Sequence, residues 1–349
     1  MCIREQTFIF AMMTIKNQSA LPFSILDLAT VAEGYSIAET FKKSVDLARH
    51  AEAWGYTRYW FAEHHNMISV ASSATSVLIG HIAGQTSRIS VGAGGIMLPN
   101  HSPLIVAEQF GTLATLYPGR IDLGLGRAPG TDPLTAMAIR GSRFDVAYDF
   151  PSELKKLQTY FSAENRYASV RAIPGEGTDV PLWILGSSTD SAYVAAAFGL
   201  PYAFASHFAP QQLLSAIAIY RDHFQPSAHL SAPYVMACVN VVAADTDEEA
   251  EYLSTSLKQL FKGVITGQRK RLQPPVKDMR PIWSAVEEEA AQQMLAVSFI
   301  GAPEKLKREL QSFQQQTQAD ELMATSHIYD HQARLHSFRL FAEVLKEGI

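Results

Sequence analysis

The sequence predicts a single (β/α)8 barrel, an α/β fold of the TIM type, with a lid insertion after its seventh strand. Three observations lead there. Eight short, β-rich apolar runs alternate with longer helical patterns along the chain. The runs are nearly continuous in apolar residues, as strands covered on both faces of a parallel sheet must be. No glycine-rich phosphate turn follows the first run, where Leu26-Asp27-Leu28-Ala29 stands instead. A doubly wound dinucleotide-binding sheet would place such a turn there. At 349 residues the chain has the length of one barrel with insertions.

The elements follow in order. A strand at 23–28 leads to a helix at 37–54, whose apolar positions include Phe41, Val45, Leu47 and Ala51. Strands at 59–63 and 89–92 precede helices at 73–85 and 103–116. After a strand at 121–125, a long connection covers 127–150 before a helix at 152–161. Strands at 182–185 and 203–206 alternate with helices at 188–198 and 211–223. The seventh strand, 235–243, runs into a helix at 246–261 that opens on Thr246-Asp247-Glu248-Glu249, an acidic start suited to a helix N-terminus. Residues 262–283 then hold Gly263, Gly267, Pro274, Pro275 and Pro281 and read as a mobile lid over the barrel mouth. Pro303 starts a helix at 303–315, and a strand at 321–326 closes the set.

Residues 21–349 thus form one domain. Residues 1–20 are expected to be a disordered extension, and Met12 or Met13 is an alternative start. Their apolar stretch at 8–13 is too short for a membrane span. The net charge of −5 gives no global attraction to nucleic acid or to an anionic membrane. Arg269-Lys270-Arg271, the one basic cluster, reads as a solvated loop. Cys2 and Cys238 are the only cysteines. Cys238 lies in an apolar run and reads as a buried free thiol, which suits a reducing cytoplasm.

A (β/α)8 barrel carries its chemistry at the C-terminal ends of its strands. Strand by strand, that rim holds Asp27, then Glu63-His64-His65-Asn66, then the turn from Gly94 to His101. It continues with Gly126-Arg127, Gly186-Ser187-Ser188-Thr189, His207, and the segment from His327 to His331. The loop Ser187-Ser188-Thr189 opens a helix, so its hydroxyls and free N–H groups make a natural phosphate site. Arg127, at the end of the preceding strand, adds a charged fork. Adjacent His64 and His65 point to opposite faces, so only one faces the mouth squarely, as an acid/base or as a structural histidine. Gly94-Gly95 lies where a flat ring could approach the backbone. His327, Asp330 and His331 have tolerable spacing for a metal, but no His-Glu-x-x-His is present and no metal is expected.

The sequence also carries a longer pattern. Glu63-His64-His65, the run from Val91 to Pro103, Ala107-Glu108-Gln109 and the run from Pro118 to Arg127 resemble the bacterial-luciferase-like flavin monooxygenases. The ending from Thr325 to Leu335 is similar to a subgroup whose substrates are mostly unassigned. The resemblance implies a barrel that takes reduced FMN from a separate NAD(P)H-flavin reductase and uses it with O2 on a small organic substrate. It implies that His64 is catalytic. It also implies that Arg127, Ser187 and Ser188 hold the phosphate, with Thr189 of the same loop placed to assist, and that Gly94-Gly95 carries a cis peptide beside the flavin ring. A homodimer is expected. Gly126 stands where luciferase has a reactive cysteine, and Gly186 where it has a glutamate, so light emission is not expected.

Two other readings stand beside this one. The same family includes enzymes that use the deazaflavin F420 for hydride transfer. A flavin-binding protein without turnover is the third. A hydrolase lacks support, for no Gly-x-Ser-x-Gly elbow is present.

Overall fold

The computed structural model describes residues 21–141 and 148–349. The expected N-terminal extension, 1–20, lies outside the described residues. Strand β1 is Phe23–Asp27, β2 Arg58–Phe61, β3 Ser90–Met97, β4 Ile121–Gly126, β5 Leu182–Gly186, β6 Tyr202–Phe204 and β7 Val235–Ala243. Strand β8 is Ser298–Gly301 and β9 is Glu321–Thr325. All pairings among these strands are parallel. Each of β1 to β7 pairs with its successor except that β7 also pairs with β9, which returns to β1 and closes an eight-stranded barrel.

Strand β8 is the departure from expectation. It pairs only with the C-terminal half of β7, Asn240 to Ala243, starting at Asn240, the last β7 residue to pair with β9. Four residues long, with only Phe299 and Gly301 buried, it carries too little periodicity to stand out in the sequence. Three helices were likewise not anticipated: α4 (Pro133–Arg140), α9 (Ala285–Met294) and α11 (His331–Lys346). Their caps were legible. Asp132 accepts from the Thr135 N–H, Ser284 and Glu287 form a capping box, and Asp330 accepts from the Ala333 N–H.

The core has two layers. Helices α1 (Ile37–Ala53), α2 (Thr75–Ala83), α3 (Pro103–Leu116), α5 (Phe150–Phe161) and their successors bury Leu47, Ile79, Phe110, Leu154, Phe338 and Phe341 against the outer face of the sheet. Inside the barrel, Leu26, Trp60, Trp183, Met236 and Met323 pack together. Below them Arg58 bonds to Asp122 at 2.8 Å and to Glu321 at 3.1 Å, plugging the N-terminal end.

Candidate active site

Where β2 ends, Glu63 is buried and ties neighbouring strand ends together. Its carboxylate accepts from the Met97 N–H at 3.0 Å and lies 2.8 Å from His65 Nε2 and 2.9 Å from His101 Nε2. Burial alone would raise its pKa. The hydrogen bonds from His101 and His65, with the charge of His101, outweigh burial and hold the group down at about 2. His65 therefore serves Glu63, which leaves His64 for the mouth.

His64 Nδ1 lies 3.1 Å from the Gly130 carbonyl oxygen. That contact requires a proton on Nδ1, so in the neutral ring Nε2 is the acceptor. Burial keeps the pKa below the usual histidine value, against the pull of the Gly130 carbonyl, and the nearby Arg269 charge helps. Gly130 has φ +64°, and a Cβ there would lie 2.8 Å from Met97 Cγ. Glycine is needed to bring this carbonyl to His64.

The peptide bond between Gly94 and Gly95 is cis. The two glycines also have a reason within the barrel itself. A Cβ on Gly94 would lie 2.8 Å from Leu26 Cδ1, and one on Gly95 only 2.6 Å from the Gly124 carbonyl oxygen. Packing of the barrel's own atoms already excludes side chains here, before any ring approaches.

Strands β4 and β5 are paired, so Arg127 and Ser187 follow adjacent strand ends. Helix α6 (Thr189–Phe198) starts there with Ser188 as its N-cap residue, yet the Ser188 hydroxyl makes no capping bond. Gly186 makes the tight entry possible, since a Cβ on it would collide with Ser191 Oγ. Ser191 in turn donates to the Ser188 carbonyl at 2.9 Å. The Thr189 N–H donates to Gln212 Oε1 at 3.1 Å. Asp190, in the first turn of α6, pairs with Arg127 at 3.0 Å. A guanidinium, two hydroxyls and a helix N-terminus without a side-chain cap of its own fit a phosphate group in kind and in number.

Across the mouth stand two further buried histidines. His207 follows β6 and His327 follows β9. His207 is pushed down to about 3 by burial, then by the charges of His327 and His64. His327 is held down at about 4 by burial and by Arg334. Both rings are neutral at physiological pH. His207 Nδ1 and Asn240 Oδ1 are buried without a partner among the described residues. Asn240 was missed in the sequence. It looks like one more residue of an apolar strand, and only its 2.6 Å bond to the His207 carbonyl shows that it shapes the rim.

The residues with metal-like spacing diverge. His327 Nδ1 meets Thr30 Oγ1 at 3.3 Å, His331 Nε2 meets Asp46 at 2.8 Å, and Asp330 caps α11. No group of three or more His, Cys, Asp or Glu that could hold a metal occurs among the described residues.

The lid needs new boundaries. Residues up to Ile265 belong to helix α8 (Asp247–Ile265), so the strap begins after it. It is not a loose loop. Leu272 donates to the Val31 carbonyl at 3.0 Å and accepts from the Glu33 N–H at 2.8 Å, and Arg271 donates to the Tyr35 carbonyl. Val31 to Tyr35 follow β1, so the strap lies on the C-terminal rim.

A sequence model of the luciferase-like monooxygenases matches residues 21–320. The chain belongs to the luciferase-like monooxygenase family. A luciferase-like monooxygenase of Escherichia coli K12 is 52% identical over 95% of this chain and 99% of its own. The N-acetyl-S-alkylcysteine monooxygenase of Bacillus subtilis is 37% identical over 71% of this chain and 75% of its own. Among solved structures, apo-MsnO8 is 34% identical with a TM-score of 0.83, over 93% of this chain and 98% of its own. Two remoter structures share the fold. One is the oxygenating constituent of 3,6-diketocamphane monooxygenase of Pseudomonas putida in complex with FMN. It is 17% identical with a TM-score of 0.71, over 95% of this chain and 99% of its own. The other is an F420-dependent secondary alcohol dehydrogenase, 14% identical with a TM-score of 0.66, over 94% and 99%. Among the described residues of this family member, no helix is long and apolar enough to cross a membrane.

Proposed function

We propose that this chain is the oxygenase of a two-component system, using reduced FMN and O2 on a small organic substrate. The observation that carries the reading is the N-terminus of α6, uncapped by its own Ser188, beside Arg127 and on the same rim as His64. Bound there, reduced FMN would supply the electrons that activate O2 for transfer of one oxygen atom to the substrate. Arg127, Ser187, Ser188 and Thr189 hold the phosphate, and Gly94 and Gly95 line the wall beside the ring. The names of the two monooxygenase relatives and the FMN complex of a structural neighbour support the same assignment.

His64 presents Nε2 as a hydrogen-bond acceptor, able to take a proton from a reacting group and return it. The strap over the mouth excludes water. A separate NAD(P)H-flavin reductase supplies the cofactor, for the chain shows no glycine-rich dinucleotide motif. A homodimer in a cytoplasmic setting completes the reading.

The test is affinity and turnover. The purified chain is titrated with FMN, reduced FMN and F420. Tightest binding of reduced FMN, with no NADPH oxidation by the chain alone, is expected. Rapid NADPH oxidation without a reductase overturns the two-component assignment, and preference for F420 replaces it with hydride transfer.

A further inference from the structure

Two of the donors that would hold a phosphate are already engaged by the protein's own oxygens. Arg127 donates to Asp190 Oδ2 at 3.0 Å, and the Thr189 N–H donates to Gln212 Oε1 at 3.1 Å. The two acceptors come from different elements. Asp190 is the second residue of α6, while Gln212 ends the short 3-10 turn Pro210–Gln212 that leads into the next helix, α7 (Leu213–His223). Ser188 holds the position from which serine ordinarily caps a helix, yet it leaves that bond unmade. A carboxamide from a neighbouring turn takes the first N–H instead. Both Asp190 and Gln212 are exposed, so both side chains are free to swing into solvent.

The consequence for an incoming phosphate is unequal. Gln212 is neutral, and its departure releases a donor. Asp190 is charged and fixed in the first turn of a helix whose backbone is held by Ser191 and Tyr202 on the Ser188 carbonyl. Its backbone therefore stays beside the cradle after the side chain gives up Arg127, and a carboxylate carried on that turn would repel a phosphate bound there. A flavin without a phosphate meets neither effect.

We propose that Asp190 and Gln212 are counter-ligands that set the phosphate affinity of this cradle low, so that FMN exchanges with solvent rather than staying bound. The inference rests on the reading of the cradle as an FMN-phosphate site. It fits a chain that must take up reduced cofactor from another protein and release the oxidised form.

The experiment titrates the full-length chain with FMN and with riboflavin by fluorescence and calorimetry, following FMN dissociation by stopped flow. Asp190→Asn should tighten FMN by about 5- to 30-fold and slow its release, with riboflavin changed less than about two-fold. Gln212→Ala should tighten FMN by about 2- to 5-fold. Asp190→Glu keeps the charge and should keep the weak binding. In an Arg127→Ala background the Asp190→Asn gain should shrink, as coupling between contacting residues requires. Thermal midpoints taken alongside separate these changes from loss of fold. If Asp190→Asn leaves FMN affinity unchanged or lowers it, while Arg127→Ala weakens FMN selectively, the counter-ligand idea is overturned and the anchor stands. If Arg127→Ala affects FMN and riboflavin alike, the anchor itself fails and the proposal falls with it.

Discussion

His64 Nδ1 and the Gly130 carbonyl oxygen, 3.1 Å apart, join the end of β2 to the loop after β4 and fix which ring nitrogen carries the proton. Two strand ends thereby cooperate to present one acceptor atom. His64→Ala should lower turnover by roughly 10²–10⁴-fold, with reduced-FMN affinity changed little. Gly130→Ala should also lower turnover, since φ +64° and the Met97 side chain oppose a Cβ and displace the carbonyl. Steady-state kinetics with direct flavin titration checks both. Full turnover in His64→Ala would make the histidine structural.

Arg127 is the permanently charged member of the phosphate cradle. Arg127→Ala should weaken FMN by about 10–100-fold through lost charge-assisted hydrogen bonds and leave riboflavin almost unchanged. Arg127→Lys should recover only part of the loss, because an ammonium lacks the planar fork. Parallel titrations of the two flavins decide it.

Glu63 makes stability depend on pH. Its folded pKa of about 2 lies below the ordinary 4.5, so the unfolded chain binds more protons between those values. The contribution is fully present above about pH 4.5 and is lost as pH falls toward 2. It amounts to about 2–4 kcal/mol by the shift alone. Urea unfolding at several pH values should show Glu63→Gln less stable than the wild type at pH 6. The gap should narrow steadily from pH 4.5 down to 3. A gap independent of pH would remove the role assigned to the ionised carboxylate in holding His65 and His101.

Leu272 latches the strap by exchanging two backbone bonds with Val31 and Glu33. Leu272→Pro removes the donor to Val31 and should open the segment after Ile265 to limited proteolysis. Reduced FMN should protect the wild type more than this variant. With the strap loosened, a larger share of the O2 consumed should appear as hydrogen peroxide. Unchanged cleavage would show that the strap is held elsewhere.

The barrel was legible in the residues because parallel strands covered on both faces leave short apolar runs, and those runs recur between helices. The rim was legible too. Once strand ends are known, the residues that follow them converge by topology, which brought His64, Arg127, Ser187 and Ser188 to one mouth. Strand β8 was not legible. It is stabilised by the second half of β7, a partner whose availability depends on where β9 departs. The engagement of Arg127 by Asp190, 63 positions away, and of Thr189 by Gln212 was equally hidden. The same holds for the division of labour between His64 and His65, which Glu63 and Gly130 settle by taking one ring each. Periodicity is a local property set by the geometry of the backbone, so the chain determines it alone. Hydrogen-bond partners and burial belong to atoms far apart in sequence, and only the closed barrel decides which of them meet.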